Sequence, residues 1–149
     1  MKSALLSLFP CFLAATVLAA DPSPQTDQAA IRRASLDYIE GWYTNDVERM
    51  RRALHPDMVK RRVVQEAGGK SSLDHGDAQR LIQATRLAPG ESARPLGNRR
   101  REVRILDMHG NAATVKIEAD QWVDYLHLIK WNGQWKIVNV LWEPHPQAQ

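Results

Sequence analysis

Near the C-terminus, Asn132-Gly133 divides a run from Asp124 to Glu143 that is dominated by valine, isoleucine, leucine, tyrosine and tryptophan. Asn-Gly is the strongest two-residue hairpin signal, because a type I′ turn needs positive φ at both central positions. The flanking residue types suit pleated strands. With the turn fixed there, the register counts outward: Trp131 faces Gln134, His127 faces Val138, Tyr125 faces Val140 and Val123 faces Trp142. Alternation with period 2 places these residues on one face. It places Asp124, Leu126, Leu128, Lys130, Trp135, Ile137, Asn139 and Leu141 on the other. Neither face is polar throughout, so both are expected to be covered, one by a core or cavity and the other by a partner subunit.

The 149 residues suffice for one domain. Residues 1–20 read as a signal peptide: Met1-Lys2 is positive, the apolar run from Ala4 to Ala20 is short for a membrane span, and small residues precede the polar Asp21-Pro-Ser-Pro24. Cleavage after Ala19 or Ala20 leaves a secreted or periplasmic chain with no membrane anchor. The expected organisation is a signal peptide over 1–20, a flexible leader over 21–26, a single domain over 27–144 and a tail over 145–149. The sole cysteine, Cys11, lies in the signal segment. The mature chain therefore has no disulfide, thiolate nucleophile or cysteine-ligated metal, and depends on its core for stability. The whole chain carries 20 Lys+Arg against 17 Asp+Glu, or 19 against 17 once Lys2 is removed with the signal. Arginine and lysine cluster at residues 49–52, 60–62 and 99–101. Clustered charge usually lies on solvated faces, and no nucleic-acid-binding motif accompanies it, so no nucleic-acid partner is expected.

Helical spacing of Ile31, Ala34, Ser35, Tyr38 and Trp42 predicts a first helix, with Thr26 or Asp27 as N-cap and an end near Thr44-Asn45. Asn45-Asp-Val-Glu48 reads as a capping box for a second helix that Pro56 stops. An extended piece from Met58 to Val64, a loop from Gln65 to Gly76 and a helix over 77–87 follow. The inner face of that last helix is Ala78, Leu81, Ile82 and Thr85. After a loop over 88–98, alternation predicts strands from Arg100 to Met108 and from Ala112 to Glu118, with a bend at Asp120-Gln121 before the hairpin. The pattern is α+β, with helices on one side of a curved antiparallel sheet.

Two segments carry a family resemblance: Asp37 to Arg62, through Trp42-Tyr43-Thr44-Asn45-Asp46 and Leu54-His55-Pro56, and the hairpin Asp124-Tyr-Leu-His127 with Trp135 to Pro144. Together they resemble the first helix pair and final hairpin of the Putative lumazine-binding family, within the nuclear transport factor 2-like superfamily that also holds SnoaL-like cyclases and ketosteroid isomerases. The resemblance implies a cone-shaped sheet closed by N-terminal helices, with a deep pocket and dimerisation through the outer sheet face. One such cone hosts unrelated activities, so it implies little about chemistry.

The residues expected to bind ligand are Tyr38, Trp42, Tyr125, His127 and Trp142. Flat aromatic faces suit a small planar or apolar molecule such as a pteridine, and the hydroxyls and imidazole suit its polar edge. The same aromatics suit a core equally well. His127 and Tyr38 are the catalytic candidates for a SnoaL-like proton transfer, although a buried histidine is more often bonded to a carbonyl. Against the ketosteroid isomerases, the general-base position falls near Arg62-Val63 and the oxyanion acid near His127, so no base stands where the resemblance would place one. Binding without catalysis is the first expectation, and a dimeric scaffold with an outer face of Leu126, Leu128, Trp135, Ile137 and Leu141 is a further one. The scattered histidines give no metal spacing, and no phosphate loop is present, so neither metal nor cofactor is expected.

Overall fold

The computed structural model describes residues 24–88 and 95–146. Three helices, α1 (Pro24–Thr44), α2 (Val47–Ala53) and α3 (Ala78–Leu87), accompany six strands. The strands are β1 (Leu54–Gln65), β2 (Ser71–Asp77), β3 (Arg101–His109), β4 (Ala112–Ala119), β5 (Trp122–Trp131) and β6 (Gln134–Pro144). They form one curved, unclosed sheet in the order β2-β1-β6-β5-β4-β3, antiparallel except where β1 runs parallel to β6. The architecture is α+β, as the sequence pattern implies. The proposed signal peptide, Cys11, the first half of the leader and most of the loop over 88–98 lie outside the described residues. Leader residues 24–26 belong to α1.

The stripe Ile31, Ala34, Ser35 and Tyr38 is buried, together with Ile39 and Tyr43. It packs on the inner face of the sheet, where Val115, Ile117, Leu126, Leu128, Ile137 and Val140 are fully buried. Asp27 is not the N-cap of α1; it sits in the first turn. Its carboxylate accepts from the Trp135 indole at 2.9 Å and pairs with Lys130 at 2.9 Å, tying the helix start to the hairpin tip.

The α1–α2 corner differs from the capping box read in the sequence. Asn45 adopts positive φ (55°) and ends α1 in the left-handed conformation asparagine tolerates. Its amide donates to the Thr85 and Ala88 carbonyls, anchoring α3. Asp46 is the N-cap of α2, accepting from the backbone N–H groups of Glu48 and Arg49. The corner is tight: a Cβ at Gly41 would meet the Met50 nitrogen at 3.1 Å and the Asp46 oxygen at 3.2 Å.

Two further differences concern the sheet. Residues 71–76, read as loop, form β2 together with Asp77, and β2 pairs with β1 so that Val63 faces Leu73. This edge strand carries no apolar alternation for a sequence reading to detect. In the hairpin, Asn132 and Gly133 have positive φ (50° and 77°), as the type I′ turn demands, and the expected pairing holds from Trp131–Gln134 to Leu128–Ile137. There the register shifts: His127 faces Asn139, Leu126 faces Val140 and Asp124 faces Trp142. Val138 is the extra residue of a β-bulge, and beyond it every β6 side chain changes face. Val140 and Trp142 therefore join Asp124, Leu126 and Leu128. Tyr125 and His127 instead share the outer face with Asn139 and Leu141.

Replacing Asp46 with alanine removes both capping bonds of α2. The expected cost is about 1 kcal/mol of unfolding free energy, measured by urea denaturation.

Candidate functional site

Period-2 alternation in β1 sends Lys60 and Arg62 toward the helix side and Arg61 and Val63 outward. On β5, Trp122 and Asp124 share the inner face. On β6, the bulge brings Trp142 to the same side, opposite Asp124. The stripe of α1 delivers Tyr38 and Trp42, and α3 delivers Leu81. These elements enclose a cavity of about 380 Å³ lined by Tyr38, Trp42, Lys60, Leu81, Gln121, Trp122, Trp142 and Pro144. Its wall is predominantly apolar, with four aromatic rings and few polar groups, as ligand cavities usually are.

Beneath the lining, Asp124 is fully buried. Its Oδ1 accepts from the Lys60 ammonium at 2.9 Å and from the Tyr38 hydroxyl at 3.3 Å. Its Oδ2 accepts from the Trp122 indole N–H at 2.6 Å. Lys60 also donates to the Tyr38 oxygen at 2.6 Å. One buried carboxylate thus joins donors from α1, β1 and β5. Burial first, and then the neighbouring Asp124 carboxylate, push the Tyr38 phenol well above its ordinary value of 10. Tyr38 is accordingly a neutral hydrogen-bonding group and not a phenolate base. Trp142 is contacted by two cations, with Lys60 Nζ 5.0 Å and the Arg62 guanidinium 4.8 Å from its ring centre. Such contacts hold an indole face in place.

Of the five residues expected to bind ligand, the structure brings Tyr38, Trp42 and Trp142 together at the cavity. Tyr125 and His127 do not join them, correcting the shared face assigned from the sequence. Tyr125 is 43% exposed, and His127, also exposed, lies 3.3 Å from the Asn139 amide nitrogen on the outer face. The sheet separates Tyr38 from His127, so they form no proton relay. Asp124 is the carboxylate beside the cavity, and each of its oxygens accepts from protein donors.

Lys60 and Trp122 line the cavity as well, beyond the residues that sequence pattern singles out. Lys60 sat within a basic cluster read as solvated surface, and alternation alone does not say which strand face is inner. Trp122 lies two residues from Asp124, on the strand face that the sequence register sets opposite to the expected ligand residues. The basic clusters resolve into ion pairs: Arg49 with Asp37 and Glu40, Arg62 with Asp74, Arg100 with Glu118 and Arg101 with Glu40. Among the described residues no three histidines or carboxylates converge as a metal set, and no helix is long and apolar enough to cross a membrane.

The outer face expected for a scaffold is also corrected. Leu126, Leu128, Trp135 and Ile137 are buried in the core, and of the residues named only Leu141 is exposed there.

The family model described as Putative lumazine-binding matches residues 26–143. Among solved structures, an NTF2-like protein of unknown function from Shewanella baltica OS155 is 22% identical. The match covers 85% of this chain and 100% of that one at a TM-score of 0.65. An NTF2-like protein of unknown function from Silicibacter pomeroyi DSS-3 is 16% identical, covering 83% and 99% at 0.64. A ketosteroid isomerase-like protein from Erwinia carotovora atroseptica SCRI1043 is 12% identical, covering 79% and 95% at 0.54. No curated protein matches the sequence.

Two outcomes test the polar centre. Asp124→Ala leaves the Lys60 charge and two buried donors without their acceptor, and is expected to cost about 3–5 kcal/mol in chemical denaturation. Tyr38 supplies the alkaline test. Its folded pKa is raised, so the folded state retains the phenolic proton longer than the unfolded chain. The associated stability is fully present below the unfolded value near 10 and falls as pH rises through the folded value. Tyr38→Phe is expected to flatten the alkaline fall in unfolding free energy relative to wild type.

Proposed function

This chain belongs to the Putative lumazine-binding family and has the NTF2-like fold, and from that premise we propose an exported binding protein whose cavity takes a small planar heterocycle, pteridines included. The carrying observation is that Tyr38, Trp42, Trp122 and Trp142 surround a cavity of about 380 Å³. A bicyclic heterocycle fits such a space, and indole faces hold flat rings by stacking. Asp124 does not supply a free base, since Lys60, Tyr38 and Trp122 already occupy it. This favours binding over proton abstraction. The signal-like residues 1–20 support delivery to the periplasm or the exterior.

A homodimer through the outer sheet face is part of the same reading. Tyr125 and Leu141 pair across β5 and β6 at 43% and 48% exposure, and Val63 and Leu73 pair across β1 and β2 at 45% and 54%. Apolar surface of this kind favours association. Light scattering is expected to give the dimer mass for wild type and the monomer mass for a Tyr125→Asp, Leu141→Asp variant. A monomeric wild type would remove the dimer.

Native mass spectrometry of the protein purified without added ligand tests the binding reading. A retained small molecule is expected, lost in Trp142→Ala and kept in His127→Ala. Loss in His127→Ala alone would move the site to the outer face. An empty protein whose tryptophan fluorescence no flat heterocycle quenches would refute the reading.

A further inference from the structure

We propose that the cavity selects its ligand in ionised form, as the conjugate base of a flat ring carrying an acidic N–H or O–H conjugated to a carbonyl, through the remaining N–H of Lys60. The inference rests on the planar-ligand reading above and names the charge state of that ligand. A lysine ammonium has three donors and no acceptor. Two of them are taken, by the Tyr38 oxygen at 2.6 Å and Asp124 Oδ1 at 2.9 Å. Lys60 nevertheless lines both the aromatic cavity and an adjoining hollow of about 140 Å³. The other buried polar groups are engaged with one another. The Tyr38 hydroxyl and the Trp122 indole both donate to Asp124, which is wholly covered and so cannot touch a ligand. Apart from the exposed amide of Gln121 at the rim, the polar group presented to a ligand is a cationic donor. It calls for an acceptor, and for a negative charge over a neutral one, within walls that screen poorly.

The surrounding charges are paired among themselves. From β1, the Arg62 guanidinium stands 4.8 Å from the Trp142 ring centre, and its Nε faces the Asp74 carboxylate at 3.4 Å. From β2, Asp74 is directed to Arg62 at 3.4 Å and Arg80 at 3.8 Å, and it lines the adjoining hollow together with His75 and Asp77. Asp77 caps α3 through the Arg80 N–H. From α1 comes neutral Tyr38, and from β5 comes Asp124, covered by its three donors. The nearby carboxylates are therefore engaged by protein donors, whereas the Lys60 ammonium retains an unused N–H. Below the ligand's own pKa, binding releases one proton to solvent as the anion is taken up.

The test compares lumazine with its N,N′-dimethyl derivative, which has no ionisable N–H, by quenching of tryptophan fluorescence in the purified protein. The comparison spans the pH range in which free lumazine ionises. A charge-assisted hydrogen bond corresponds to on the order of 10- to 100-fold in affinity. Lumazine binding is expected to tighten by that factor as it ionises, while the dimethyl compound stays level. Bound lumazine should show the anion's absorption spectrum at a pH where free lumazine is neutral. In Lys60→Met/Asp124→Asn, which removes the buried pair together, the ratio of the two affinities should collapse toward one. Equal affinities with a neutral spectrum would overturn anion selection and leave planar binding standing. A pH slope shared by both compounds would assign the titration to the protein and overturn it equally. Quenching by neither compound would remove the planar-ligand reading and this inference with it.

Discussion

A carboxylate without solvent contact organises the functional half of this molecule. Removing a charge from water costs several kcal/mol, and the cost is met only where donors converge on it. Asp124 collects the Lys60 ammonium, the Tyr38 hydroxyl and the Trp122 indole N–H. They come from β1, α1 and β5, so satisfying one charge fixes the relative placement of a helix and two strands. The same bonds orient three side chains that line the cavity. Structure and site therefore share a polar centre, and the positions of the cavity walls follow from it.

Around that centre the cavity stays open because its lining groups are held elsewhere. Trp142 is held against Lys60 and Arg62, and Trp122 is tied to Asp124 and meets Tyr43 edge-on at 6.0 Å. Leu81 is set by α3, which Asn45 anchors through the Thr85 and Ala88 carbonyls. Side chains restrained by neighbouring contacts do not collapse into the space between them. Beside that centre, Val115, Ile117, Leu126, Leu128 and Ile137 close into a fully buried core under α1. The chain thus has a filled part and a hollow part, and the aromatic residues concentrate at the hollow one.

Much of the local structure was legible in the residues. The α1 stripe, the inner face of α3, the Asn132-Gly133 turn and the strands β3 to β6 follow from period and turn chemistry, because those signals act over a few residues. Strand β2 was not legible, because an exposed edge strand needs no apolar alternation. The capping box was placed one residue early, since Asn45 and Asp46 both suit a cap and only the backbone decides which is left-handed. The site was half legible: Tyr38, Trp42 and Trp142 were found as aromatic residues, whereas Lys60 was hidden in a basic run.

The sequence by itself determined the α+β class, the helical faces, the hairpin and its turn, because each depends on interactions between residues close along the chain. Tertiary structure decided which hairpin residues face the cavity. One bulge at Val138 moves Trp142 to the side of Asp124 and leaves Tyr125 and His127 outside. A register shift of one residue exchanges the two faces of a strand, and the alternating pattern of a hairpin apolar on both sides reads equally well either way. Which face is inner is settled only when α1 packs on the sheet and Asp124 collects donors from residues 64 and 86 positions away in the chain.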